Sequence, residues 1–593
     1  LPPSRPNAPA ADPRTRAAET GPAPGRAGPS ASEAASEAAG GGLSSAAGGA
    51  TPGVAVVIVT WNRHDAAVAA IRSVLAQRGV DLGSLHLLVV DNASTDGTCD
   101  RLARWLDAER VVENPAARAE GPDFTVRPGA RRNAVGLGSA TLVRNGANLG
   151  GTGGFNTGLM AVERVLAPAL PGPAGAAGGG AVEFLWLLDD DAEAHPDALA
   201  RLLAAAGQEP DLGLVGSRAV DIGDRRTTFE TTIYYDAVRG RMADTPHDGH
   251  RLRADHEAWR ARAGGTRGRL AFTGRREVDV VSACSLLARR SVLGDVGYWD
   301  SRYFIYCDDA DWCLRARAAG YRVACDLDAV VYHTPWFHKL TPARMYYSQR
   351  NAVWTMRKRL AGLRRRRSTA RWLASILADA LAAGLRRRLY HAEFIRRTAA
   401  DIVANRGGAL DLAEPPAMGL RDALAQADAL GAGAVVVALC AGGDQAALAD
   451  RARVALADQL RRAGRPQDMP RWVCMVRNDA ADAGMAPGES LRAAAAAERV
   501  VYAPSLRSRL RRQAPVVRRR PAACLVFDQS NDVPLVGCPW TLHVDHRAPD
   551  RCRPERDSLG RRAAFVLRLS ATAAACAWFV LRDPDQGPEA RRG

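Results

Sequence analysis

The stretch GVAVVIVTWNRHDAAVAAIRSVLAQRGVDLGSLHLLVVDNASTDGT, residues 53–98, decides the fold. Residues 54–59 are apolar without a break and bounded by turn formers, the pattern of a strand covered on both faces. The next segment places Val68, Ile71, Val74 and Leu75 on one helical face. A second apolar run follows and ends in Asp91 and a polar turn. Strand, helix and strand within about 40 residues make a βαβ unit of a parallel sheet. Ligand groups are expected at the carboxyl ends of its strands.

Further out, EFLWLLDDD (183–191) reads as a third buried strand running into acid, and more strands are expected at 212–216, 278–283 and 321–332. Low-complexity inserts interrupt this first domain near 112–140 and at 171–180. The chain divides into a disordered leader at 1–52, an α/β domain at 53–356, a basic helical segment at 357–407 and a second, smaller α/β domain at 408–593. The candidate strands of the last are AVVVALCA, RWVCMV, RVVYA and ACLVF.

A chain of 593 residues is too long for one ordinary core. With 47% hydrophobic and 24% charged residues, wholesale disorder is excluded. The formal charge is +16, but only Lys339 and Lys358 are lysines, so the arginine count reflects coding bias before it reflects partners. Residues 357–397 hold thirteen basic residues against Asp379 and Glu393, which is +11 of the +16. The remainder is nearly balanced, which argues against a general polyanion-coating role. Within the basic stretch, Trp372, Leu373, Ile376, Leu377 and Leu381 share one face, flanked by arginines at 364–367 and 386–388. That pattern reads as an amphipathic element on an anionic membrane surface; a solvated helix packed on the core through its Leu face is the alternative. Eleven cysteines without a CxxC pair fit no zinc pattern and suggest a reducing compartment. No signal peptide is visible, and the longest uncharged apolar run near the C-terminus, 569–581, has thirteen residues. A spanning helix needs about 20, so no transmembrane segment is expected.

Four constellations carry chemistry. In extended backbone Asp189 and Asp191 project to the same side and can share a hard divalent cation, with Asp190 facing elsewhere; the bland reading is a solvated acidic loop. NGANLGGTGGFNTG (145–158) has Gly150, Gly151, Gly153 and Gly154, enough freedom to approach a phosphate or sugar, although most such loops are only turns. Asp308, Asp309 and Asp311 crowd between aromatic residues and a helix start. Crowding and lost hydration raise a carboxylate pKa and suit a general base, whereas Asp311 alone reads equally well as a helix N-terminal acid. His333 follows a strand 24 residues after Asp309; most lone histidines are satisfied structural residues, but beside two Asp it completes a reasonable Mn²⁺ site.

Together TWNR, VVDNASTDGT, NLGGTGGFNTG, WLLDDDAEAHPDAL, DDADWCLR and YYSQRNAVW resemble the inverting family-2 glycosyltransferases of the GT-A fold, over about half the chain. The resemblance implies a Rossmann-like mixed sheet and a set of roles. Thr60, Arg63 and Asp91 are implied nucleotide-binding positions, with Asp190 beside them. Asn148 and the glycine segment Gly150, Gly151 and Gly153 line the nucleotide-sugar pocket. Asp189, Asp191 and His333 hold Mn²⁺ or Mg²⁺, and Asp309 is the base, with Asp308 as its neighbour and an acceptor contact. Within the family, NLGGTGGF and DDADWCLR look most like galactofuranosyltransferases of cell-wall glycan synthesis, which use UDP-galactofuranose and a lipid-linked acceptor; rhamnosyltransferases using dTDP-rhamnose are the alternative. Such an enzyme is expected in the cytoplasm at the inner face of the membrane. The polymerising galactofuranosyltransferases resemble a chain with a β-domain before this core, where the present chain has the low-complexity leader. A metal-dependent phosphoesterase or nucleotidyltransferase lacks its second ligand set or a Lys-bearing phosphate loop here, where TWNRHD stands. A non-catalytic basic membrane- or nucleic-acid-binding protein is the reading of another class. A nucleic-acid groove needs interleaved aromatics, and 357–397 offers only Trp372, Tyr390 and Phe394, so no nucleic acid is expected as partner.

Overall fold

The computed structural model describes residues 51–584 apart from 117–120, 130–135, 171–181, 264–271, 340, 387, 413–415, 441–442, 478–497, 503–505, 528–537 and 546–547. The leader over 1–50 and the glycine-rich insert at 171–180 lie outside the described residues.

The first half is built on a mixed sheet whose main path runs Arg275–Glu277, Arg322–His333, Leu212–Asp221, Ser285–Arg289, Val182–Asp189, Gly53–Thr60, Leu85–Asp91, Ser139–Asn145, Arg110–Asn114 and Thr125–Pro128. Its centre is parallel, as the unbroken apolar runs require. Val54, Val56 and Ile58 enter one core and Ala55 and Val57 the other, so side chains of alternate parity are buried on opposite faces. Ser285–Arg289 runs antiparallel to both its neighbours and makes the sheet mixed.

Two expectations shift. The strand sought at 278–283 forms instead at Ser285–Arg289, while Val280 makes only an isolated bridge to Ile233. The stretch at 112–140 is not merely an insert: it holds Thr125–Pro128 and parts of Arg110–Asn114 and Ser139–Asn145, which extend the sheet. Thr125–Pro128 is exposed along its whole length, so it carries no apolar run to read.

Three helices follow, Pro342–Arg359, Gly362–Leu385 and Leu389–Val403. A separate seven-stranded sheet comes after them, ordered Met418–Gly419, Arg551–Arg556, Trp540–Val544, Ala523–Phe527, Val435–Cys440, Arg471–Arg477 and Glu498–Tyr502. Its four expected strands are present and parallel.

The last helix, Leu559–Arg582, changes a sequence reading. It has 24 residues and is long and apolar enough to cross a membrane by length and composition. Arg568 divides its apolar residues, which is why the uncharged run counted in the sequence falls short. One stripe, Phe565, Leu569, Cys576 and Phe579, packs with Leu373, Ile376 and Ala380 of Gly362–Leu385 and with Ala392, Ile395 and Ala399 of Leu389–Val403. The apolar face that the sequence offers to a membrane at 371–385 is thus turned inward at Leu373 and Ile376, and the Trp372 indole donates to the Arg239 carbonyl.

Candidate active site

Strand register assembles the first wall. Thr60 pairs with Asp91, and Val59 pairs with Asp189, so all three carboxyl ends lie along one edge of the sheet. The Arg322–His333 strand pairs through His333 with Ala192, just past the acidic turn. Residues 142 positions apart in the chain thereby meet: His333 Nε2 is 3.0 Å from Asp191 Oδ1 and 3.5 Å from Asp189 Oδ2.

The three consecutive acids are divided as the alternation of a strand predicts. Asp190 is buried and points back, accepting from Thr60 Oγ1 at 2.8 Å and from Arg63 at 3.2 Å. Burial pushes its pKa up to about 6 against the pull of Arg63. Asp189, Asp191 and His333 offer one ligand atom each, all within 4.8 Å of one another. Two carboxylates and an imidazole nitrogen are a hard-to-borderline donor set, which fits a small divalent cation. Burial works against ionising Asp191, yet His333, Lys339 and Arg63 hold it well below the ordinary carboxylate range. Burial also opposes protonation of His333, but the hydrogen bonds its imidazole donates to the two aspartates prevail and raise it to about 9.

Facing this wall are Asp308 and Asp309, at the start of the Asp308–Ala318 helix. Asp308 is buried and accepts from Thr152 Oγ1 at 2.5 Å. Asp309 is half-buried; its Oδ2 accepts from the Ala283 amide at 3.2 Å and its Oδ1 from the Ala310 amide at 2.7 Å. Burial is the main cause that raises Asp309 to about 8, and the Asp308 charge adds to it. Burial likewise raises Asp308 to about 6, with a contribution from Asp189, so the two acidic walls share one electrostatic environment. Asp311 stands apart. It is fully buried and paired with Arg315 and Lys358 at 3.1 and 3.0 Å, the structural N-terminal acid of its helix.

The glycine segment is mostly helix. Gly150–Ala161 is an α-helix whose residues are almost all buried. Gly150 has φ +73°, and a Cβ there would meet the Phe304 carbonyl at 2.1 Å, so glycine is required by both conformation and space. Gly154 and Gly158 let the helix lie directly on the sheet: a Cβ at either would come within 2.3 and 2.4 Å of Val59 and Val57. Asn148 Oδ1 accepts from the Gly150 amide at 2.8 Å and from Asn92 at 3.1 Å, and Gly151 and the buried Gly153 begin the helix beside them. Asp91, buried at its strand end, accepts from the Ser94 amide at 3.1 Å.

Two site residues escape the sequence. Glu230, on the short Thr228–Glu230 strand, has its pKa raised by burial and by Asp189, while His333 and Ser282 pull it down. Lys339 places Nζ 2.7 Å from Asp191 Oδ2 and 3.0 Å from His333 Nε2. Neither lies in a patterned segment; the only sequence signal is that Lys339 is one of two lysines in an arginine-rich chain.

The family described as "Glycosyltransferase like family 2" matches residues 52–356. The galactofuranosyltransferase GlfT2 of Mycobacterium tuberculosis (strain ATCC 25618 / H37Rv) is 26% identical over 290 residues, 49% of this chain and 38% of that protein. The chain therefore spans well under half the length of that curated relative. Among solved structures, the mannosyltransferase PcManGT from Pyrobaculum calidifontis in complex with GDP-Man and Mn²⁺ is 17% identical, with a TM-score of 0.33, over 60% of this chain and 88% of that one. S. aureus TarS 1–349 in complex with UDP-GlcNAc is 13% identical, with a TM-score of 0.34, over 59% and 80%. With the family matched across the whole region that carries both acidic walls, the chain belongs to the glycosyltransferase family 2-like proteins, whose matched region here is the mixed α/β core.

Proposed function

We propose that the chain transfers galactofuranose from UDP-galactofuranose to a hydroxyl of a lipid-linked cell-wall glycan, with inversion at the anomeric carbon. The observation that carries this is the pairing of a high-pKa carboxylate, Asp309, with a cation site of two aspartates and a histidine in one electrostatic environment. Asp309 removes the acceptor hydroxyl proton; the oxygen bonds to the anomeric carbon as the bond from that carbon to the diphosphate oxygen breaks. A single displacement needs no nucleophilic side chain. Asp189, Asp191 and His333 would hold Mn²⁺ or Mg²⁺, which would supply charge neutralisation at the departing diphosphate. Thr60 and Arg63 steady the acidic turn through Asp190, and Arg63 also reaches Asp191 at 3.0 Å. Asp91 serves the nucleotide base, Asn148 with Gly150, Gly151 and Gly153 shapes the donor pocket, and Asp308 contacts the acceptor.

The choice of sugar is supported by the galactofuranosyltransferase relative. The test is a donor screen of the purified chain with UDP-galactofuranose and dTDP-rhamnose on a polyprenyl-diphosphate-linked glycan, with and without Mn²⁺. Transfer from UDP-galactofuranose alone is expected. Transfer from dTDP-rhamnose alone overturns the sugar while leaving the chemistry standing.

We also place the enzyme at the cytoplasmic face of the membrane, where its acceptor would be anchored. The supporting feature is the outer face of Leu559–Arg582, where Leu567, Trp578 and Leu581 are 72%, 57% and 68% exposed. The neighbouring Gly362–Leu385 helix runs antiparallel to it: Arg365 and Arg366 reach Asp583 at one end, and Gly384 lies against Phe565 at the other. Arg364, Arg367 and Arg371 are exposed on that helix and have no ion-pair partner among the described residues. Apolar side chains beside unpaired cations suit an anionic bilayer surface, on which a helix lies with its apolar face immersed.

A further inference from the structure

The YYSQRN segment, residues 345–351 less its first position, has no role in the chemistry above, and two of its residues are fully buried: Arg350 and Asn351. Both project from the Pro342–Arg359 helix onto residues 302–307, the loop that leads into Asp308 and Asp309. That loop is strained. Phe304, Tyr306 and Cys307 have φ of +68°, +69° and +61°, a region that L side chains rarely adopt. Phe304 has ψ −54°, and the Ile305 amide donates to the Tyr303 carbonyl at 2.8 Å, which closes the rarer of the two γ-turn forms.

Such a path persists only where its surroundings over-determine it. Here every carbonyl from Arg302 to Cys307 has a donor. Arg350 Nη2 donates to both the Arg302 and the Tyr303 carbonyls, at 3.0 and 2.9 Å. The Asn351 amide nitrogen shares its two N–H donors among the Tyr303, Ile305 and Tyr306 carbonyls at 2.9, 2.8 and 2.9 Å, and its oxygen accepts from Arg350 Nε at 3.0 Å. The Phe304 carbonyl takes the Thr152 amide at 3.1 Å, and the Cys307 carbonyl takes the first helical amide, Asp311, at 2.9 Å. Thr152 also donates its hydroxyl to Asp308, so the loop links the glycine helix to the paired aspartates. Arg350 further reaches the Arg406 and Gly408 carbonyls at 3.3 and 3.2 Å, which ties the segment after the third helix to the same loop.

We propose that Arg350 and Asn351 are positioning residues that hold the left-handed 302–307 loop and so aim the Asp309 carboxylate at the acceptor hydroxyl. The proposal rests on the reading of Asp309 as the base. It requires that loosening the clamp harm the chemical step more than donor binding, because Thr60, Asp91 and the cation site stand on the sheet and not on this loop.

The test compares the full chain with Asn351→Ser, Arg350→Lys and Asp309→Asn. The readouts are kcat, KM for the donor, UDP affinity with Mn²⁺ by calorimetry, and the unfolding midpoint. For Asn351→Ser, kcat is expected to fall about 100-fold, the loss typical of a misplaced reacting group, while UDP affinity stays near the parent's. Its pH–kcat profile should also move to lower pH as water reaches Asp309. Adding Cys307→Gly, which removes the conformational penalty at one left-handed position, should recover part of that kcat. If Asn351→Ser does not fold, Arg350→Lys carries the test, since one ammonium nitrogen cannot at once serve the Arg302 and Tyr303 carbonyls, the Asn351 oxygen and the Arg406 and Gly408 carbonyls, which three different guanidinium nitrogens reach here. Unchanged kcat in a folded clamp variant, or kcat and UDP affinity lost together, overturns the proposal. An active Asp309→Asn instead overturns the base assignment on which it rests.

Discussion

At the residue scale, the chemistry turns on two adjacent carboxylates in different surroundings. A general base works only when deprotonated, so an Asp309 raised to about 8 places the acid limb of the rate profile well above that of an ordinary carboxylate. Because Asp308 adds to that rise, Asp308→Asn should lower the Asp309 pKa and move the acid limb to lower pH, even as the loss of an acceptor contact raises KM. A pH profile of kcat for parent and variant checks this, and a limb that moves upward contradicts the assignment. These carboxylates were legible because they sit in a dense run of acid and aromatic residues. Glu230 and Lys339 were not, because each reaches the site from a short strand or a connecting turn whose path depends on tertiary contacts alone.

At the element scale, the strands that hold the site announced themselves as unbroken apolar runs, since a strand covered on both faces has no polar side to interrupt it. The glycine segment misled for the opposite reason. Its glycines suggest a loop, yet Gly150–Ala161 is a helix that uses them to lie close to Val57 and Val59. This distinction is measurable. Gly158→Ala forces a methyl against Val57 and should destabilise the protein by about 1–3 kcal/mol. Gly151→Ala meets nothing within 4 Å and should be neutral or stabilising by up to about 1 kcal/mol, the helix propensity difference. Denaturant unfolding of the two variants decides between a packing surface and a flexible loop. Equal destabilisation, or tolerance at Gly158, contradicts the helix–sheet account.

At the scale of the whole molecule, the +16 charge and the long C-terminal helix belong together. The sequence located the arginines and offered the face at 371–385 either to a membrane or to the core; Leu373 and Ile376 go to the core and Leu381 stays exposed, while Arg568 had hidden the helix that exposes more apolar side chains. If Leu559–Arg582 lies on an anionic surface, the intact chain should sediment with phosphatidylglycerol vesicles at low salt and not with neutral ones. Replacing Leu567, Trp578 and Leu581 together by serine should weaken that binding while soluble-acceptor transfer persists. Binding to neither vesicle sinks the docking idea without touching the chemistry. The chemistry itself is tested most directly by the configuration of the product. Transfer from UDP-galactofuranose, followed by NMR of the new linkage with Mn²⁺ present, after chelation and after Mn²⁺ is restored, should give a single product of inverted anomeric configuration that disappears with the chelator and returns with the ion; retention of configuration, or transfer indifferent to chelation, would contradict the account.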